Sequence, residues 1–179
     1  MSKWLAIVAA GGIAMPAAAG ELLGIGRIAT VHDLAQTDLT VLPDGTGLPN
    51  GKGTAKDGAA IFAARCAACH GDKGQGLGDF PALVGGRGTL TSDKPLLTVG
   101  SYWPYATTIF DYIRRAMPYQ AAGDLSADET YALTAWLLAQ NRIIAPTAVI
   151  DRTTLPKVKM PNRDGFIPDP RPDVNTAPE

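Results

Sequence analysis

The sequence predicts an all-α fold set between two extended arms, and three observations predict it. Apolar residues at helical spacing occur in residues 57–141. Strand signals are short and scattered, the neighbourhood of Val99 being the best of them. The flanking stretches are dense in proline and glycine.

The first helix is predicted from Asp57 to Cys69, with Asp57 as N-cap and Ala59, Ile61, Phe62 and Ala63 as its apolar positions. The second runs from Tyr105 to Ala116. Ile109, Phe110, Ile113 and Met117 recur at helical spacing, and Pro118 stops it. The third, Ala127 to Asn141, has the plainest signature. Ser126 and Glu129 form a Ser-x-x-Glu capping box ahead of an apolar face of Ala132, Leu133, Ala135, Trp136, Leu137 and Leu138. Residues 20–56 form the first arm, where the stretch from Leu42 to Gly53 is rich in turn residues. Residues 142–179 form the second, which holds half of the 14 prolines. The sequence shows no internal repeat.

Composition narrows the function. The chain has 179 residues, 46% of them apolar and 18% charged, which excludes a wholly disordered chain and allows one ordinary domain with extensions. Sixteen basic residues against 17 acidic ones give a formal charge of -1, with no basic stripe for nucleic acid. Two cysteines and two histidines are too few for a multi-bridge scaffold or a four-ligand zinc site. At the start, Lys3 precedes an apolar run, and Ala17 and Ala19 supply a small-x-small pattern. Residues 1–19 therefore read as a signal peptide cleaved after Ala19. The run falls short of the ~20 residues of a spanning helix, and no later segment is long and apolar enough. The mature chain is expected to be exported to the periplasm without stable membrane insertion.

Both cysteines fall in Cys66-Ala67-Ala68-Cys69-His70, the attachment pattern of a covalent c-type haem. Thiols three apart on a helical turn point the same way and can each add to a haem vinyl group. The histidine that follows can place its imidazole on the iron. The other reading, a redox Cys-x-x-Cys pair, needs a βαβ setting that is missing from the pattern. The sixth iron position has three candidate donors outside the signal peptide: Met117, Met160 and His32. Met117 is preferred, because a thioether in a loop closed by Pro118 can be held rigidly, although a methionine there can equally be core filler. Met160 also precedes a proline but lies in the second arm, and His32 sits among polar residues of the first.

The order Cys-x-x-Cys-His-Gly, then Pro81-Ala-Leu-Val-Gly-Gly86, then Met117-Pro118, then the capped helix resembles the class I c-type cytochromes over residues 57–141. Gly58 and Phe62 match that family's first helix and Trp136 its last. The resemblance implies the class I cytochrome c fold, with helices crossing near Gly58. It also implies a Pro81 carbonyl that accepts a hydrogen bond from His70, Leu83 packed on the haem, and His70 and Met117 as iron ligands. A narrower resemblance runs through residues 84–118, with Gly26-Arg27-Ile28-Ala29, Pro43–Pro49 and Lys159–Phe166 extending it. These stretches are similar to the cytochrome subunit of the Sox sulfane dehydrogenase and to cytochromes that partner molybdenum sulfite dehydrogenases. The full-length Sox subunit carries two haem domains, whereas this chain has one C-x-x-C-H.

This second resemblance implies a monohaem cytochrome that accepts electrons from a molybdenum-cofactor dehydrogenase subunit and passes them to a downstream cytochrome, with the substrate site on another chain. A free soluble shuttle and a haem enzyme with a displaceable sixth ligand are the competing readings. Near Met117, an arginine (Arg114 or Arg115) or the Trp103 N–H is a candidate partner for a haem propionate, and Tyr102 and Tyr105 lie alongside. Lys157, Lys159, Arg163 and Arg171 make the second arm a candidate clasp for a partner subunit.

Overall fold

The computed structural model describes residues 26–167 together with 169 and 171. The predicted signal peptide lies outside the described residues. In chain order the elements are α1 (Val31–Thr37), β1 (Lys52–Thr54), α2 (Ala55–Arg65), α3 (Ala67–His70), α4 (Ala106–Ala116), α5 (Ala127–Gln140) and β2 (Val149–Asp151). A 3-10 turn, Leu155–Lys157, follows. The all-α expectation holds for the helices and misses a small antiparallel ribbon, in which Lys52, Gly53 and Thr54 face Asp151, Ile150 and Val149.

The centre of the molecule is α5. Residues 130–138 are buried without interruption, so this helix is apolar all round rather than on one face. Its two buried threonines, Thr130 and Thr134, bond the carbonyls of Ser126 and Thr130 at 2.8 and 2.7 Å, so neither hydroxyl is left unpaired. The capping box is present as expected, with Ser126 Oγ accepting from the Glu129 N–H and the Glu129 carboxylate accepting from the Ser126 N–H.

Helix α2 lies across α5 where two glycines remove side chains from the contact. A Cβ on Gly58 would run into the Ala132 carbonyl oxygen, and one on Gly53, in β1, into the Ala132 backbone nitrogen. The close approach lets Phe62 stack on Trp136, with ring centroids 3.8 Å apart. Helix α4 packs from another side, where Phe110 meets Tyr131 at 4.5 Å.

The first helix begins earlier and ends earlier than its sequence pattern suggests. Thr54, not Asp57, is the N-cap, and Asp57 occupies the third helical position, where its N–H donates to Thr54 Oγ1. The helix stops at Arg65, because Cys66 leaves helical geometry (φ -125°, ψ -34°) and a new turn, α3, starts at Ala67. Ala59 and Ala63, expected on the inner face, are exposed, while Ala55, Gly58 and Phe62 are buried.

Both flanking segments are drawn onto this core. The Val41 N–H donates to buried Asp111 at 2.9 Å, Thr107 Oγ1 to the Pro43 carbonyl at 3.1 Å and Tyr131 Oη to the Pro49 carbonyl at 2.9 Å. From the other side Ile150, Leu155 and Met160 are buried in the core, and Asn162 Nδ2 donates to the Tyr102 carbonyl at 2.8 Å. Helix α1 was not expected from the turn-rich first arm. It is opened by a local box in which Thr30 and Asp33 cap one another and Arg27 pairs with Asp33. No helix among the described residues is long and apolar enough to cross a membrane.

Candidate haem site

The break at Cys66 is what presents the site. Cys69 and His70 N–H groups both turn back to the Cys66 carbonyl, at 3.1 and 2.9 Å, so the two thiols and the imidazole share one tight turn. Gly71 ends it at φ 76°, a left-handed value that favours glycine. Cys66 and Cys69 are half-buried and not joined to each other. Burial pushes the Cys66 thiol up to about 11. A redox Cys-x-x-Cys pair depends on a depressed thiol pKa, so this environment counts against that reading.

After the turn the chain loops beneath His70. The Gly76 N–H donates to the His70 carbonyl at 2.8 Å, and the N–H groups of Leu83 and Val84 both donate to the Gly74 carbonyl, at 2.7 and 3.0 Å. This brings Pro81 beneath the histidine: His70 Nδ1 lies 3.1 Å from the Pro81 carbonyl oxygen. A carbonyl can only accept, so Nδ1 is the donor here and Nε2 is the ring nitrogen left for a ligand. Phe80 stands edge-on to the ring at 6.5 Å.

Leu83 and Met117 are half-buried and pack against the same core cluster as Cys66. Met117 is the C-cap of α4, its N–H bonded to the Ile113 carbonyl at 3.0 Å. The three candidates for the sixth position sit in different settings. Met160 is buried in the apolar core, only 3% exposed, and His32 is exposed on α1. The two thiols and the imidazole on one turn fit the attachment of a c-type haem, and a thioether stands at the end of α4.

The candidate propionate and clasp residues fare differently. Arg115 is engaged by Asp111, its Nε 2.9 Å from Oδ1, and thereby supports the aspartate that holds Val41. Trp103 is half-buried and edge-on to Tyr112 at 5.8 Å. Arg163 lies over the Tyr105 ring at 4.1 Å and Arg171 pairs with Asp169, so these two of the four candidate clasp cations have partners within the chain, while Lys157 and Lys159 are exposed. Sequence reasoning missed Asn141, which it took for a helix end. The side chain of Asn141 reaches the loop beneath His70, and only the residue type at a helix terminus could have hinted at it.

Residues 53–137 match the family described as cytochrome c oxidase, cbb3-type, subunit III. The solved structure of the sulfane dehydrogenase SoxCD from Paracoccus pantotrophus is similar at 45% identity and a TM-score of 0.78, covering 86% of this chain and 76% of that one. The thiosulfate dehydrogenase TsdBA from Marichromatium purpuratum is 28% identical over 49% of this chain and 18% of that one, with a TM-score of 0.38. No curated protein matches the chain. With the motif, the helix order and the likeness to SoxCD together, the chain belongs to the class I c-type cytochromes and resembles the cytochrome subunit of the Sox sulfane dehydrogenase.

Proposed function

We propose that this cytochrome carries one covalent haem, works in the periplasm, accepts electrons from a molybdenum-cofactor sulfane or sulfite dehydrogenase subunit, and delivers them to a downstream cytochrome. The observation that carries the haem reading is the Pro81 carbonyl, 3.1 Å from His70 Nδ1, on the turn that also bears both thiols. The partner reading rests on 45% identity to SoxCD over 86% of the chain.

When bound, the haem supplies one-electron exchange between ferrous and ferric iron. Cys66 and Cys69 would tether it as thioethers, which would fix its place without reliance on non-covalent affinity. His70 would bind iron through Nε2. The bond from Nδ1–H to Pro81 sets the tautomer, fixes the ring plane and raises the basicity of the ligand. Met117 would offer a soft thioether as the second ligand, and His/Met ligation raises the reduction potential, which suits an acceptor of electrons from a dehydrogenase. Leu83 and the buried face of α4 keep water away, disfavouring the more highly charged ferric form.

The second arm packs on the chain's own core through Leu155 and Met160 and leaves Lys157 and Lys159 exposed for a dehydrogenase partner. The test mixes the purified holoprotein with a molybdenum sulfane or sulfite dehydrogenase and follows the haem absorbance. Reduction on addition of the sulfur substrate is the expected result. If neither enzyme and substrate reduces the haem, the sulfur assignment falls and the cytochrome assignment stands.

A further inference from the structure

We infer that Asn141 is a positioning residue for the iron ligand. From the end of α5 its carboxamide clamps the loop whose carbonyl orients His70. This inference rests on the reading of His70 as the ligand.

Asn141 is 8% exposed and every hydrogen-bonding group of its side chain is used. Nδ2 donates to the Leu83 carbonyl at 3.1 Å and to the Leu137 carbonyl at 2.9 Å, while Oδ1 accepts from the Gly85 N–H at 3.0 Å. Two carbonyls face one end of the amide and an N–H faces the other, so its orientation is fixed by chemistry. The Leu137 bond is local to the helix. The other two cross to the loop, where nothing else on α5 reaches the Leu83 carbonyl or the Gly85 N–H among the described contacts.

The loop is held from both sides as a result. The Leu83 N–H goes to Gly74, on the turn that follows His70, and the Leu83 carbonyl goes to Asn141. The Gly85 N–H goes to Asn141, and its carbonyl accepts from Thr98 Oγ1 at 2.6 Å. Pro81 itself is exposed, and water competes for its carbonyl. Fixing the chain two residues further on keeps that carbonyl under the ring. Gly100 makes room for the clamp: a Cβ there would run into Asn141 Oδ1.

The test follows exchange of the His70 Nδ1–H and the Gly85 N–H by NMR in the ferrous holoprotein, alongside the reduction potential. Asn141→Ala should speed both exchanges about tenfold or more and move the potential. Asn141→Asp keeps the acceptor for Gly85 and sets a carboxylate oxygen against two carbonyls, so it should release His70 while leaving Gly85 more protected. Thr134→Val removes a buried hydrogen bond internal to α5 and should change neither His70 exchange nor potential. Exchange of His70 that stays as in the wild type in a folded Asn141 variant, or that Thr134→Val raises equally, overturns the inference. If neither Asn141 variant folds, the wild type decides: the Asn141 amide protons, Gly85 N–H and His70 Nδ1–H must exchange through one common opening, and independent opening of His70 overturns the proposal. Mass is read first, since a wild-type chain without haem overturns the reading of His70 as ligand, whereas a haem-bearing chain with unmoved His70 exchange overturns this inference alone.

Discussion

The two ends of α5 are finished by different means. At the start, Ser126 and Glu129 satisfy one another's N–H groups within four residues of sequence. At the end, the Arg142 N–H bonds the Ala139 carbonyl and the Ile143 N–H the Leu138 carbonyl, the paired bonds of a Schellman motif, with Arg142 at φ 57° where glycine is usual. Asn141, just before it, spends most of its bonding on a loop distant in sequence. One end is a local device that serves the helix. The other gives up the best local residue and ties the helix to the site.

The sharpest way to break α5 lies between its ends. Gly58→Ala forces a Cβ against the Ala132 carbonyl, backbone against backbone, and should cost about 4 kcal/mol or prevent folding, read by chemical denaturation. Next, Asn141→Ala strands two part-buried loop groups and should cost about 2 kcal/mol. At the other end Ser126→Ala should cost about 1 kcal/mol.

Acid sharpens the contrast. The backbone N–H and hydroxyl of Ser126 hold the Glu129 carboxyl below its usual range. Its contribution is therefore complete above the ordinary glutamate pKa and is lost as pH falls through the lowered one. The stability gap between wild type and Ser126→Ala should narrow in that window. The gap for Asn141→Ala, which rests on a neutral amide, should not. The smallest effect is a gain: Arg142→Gly relieves the left-handed backbone and should raise stability by about 0.5–1 kcal/mol, seen as a higher denaturation midpoint.

The same contrast explains what the sequence made legible. The capping box, the apolar run of α5, the second helix and Cys66-Ala-Ala-Cys69-His70 are statements about near neighbours, and each can be read in a short window. Cys66 broke the first helix because the turn that carries the thiols needs its own start, which no periodicity of Ala59, Ile61 and Phe62 records. The β1–β2 ribbon pairs segments from either side of the helical region, and neither has the length or alternation of a strand by itself. Gly53, packed on Ala132, shows why: the position is decided by the backbone it approaches. Thr30 and Asp33 did offer a short signal for α1, hidden within a stretch dominated by turn residues. At the site, His70 and its thiols were readable from the motif, and Pro81 and Leu83 only through family resemblance. Asn141 was not readable, because a carboxamide carries no mark of which distant carbonyl it will meet.

The burial of Ile150, Leu155 and Met160 has a consequence of timing. These side chains complete an interior begun around residue 41, and they are synthesised after every helix of the core. Until they arrive, Lys52–Thr54 has no strand to lie beside and the hydrophobic centre stays unsealed. Cys66 is thus made well before the side chains that seal the core it packs against.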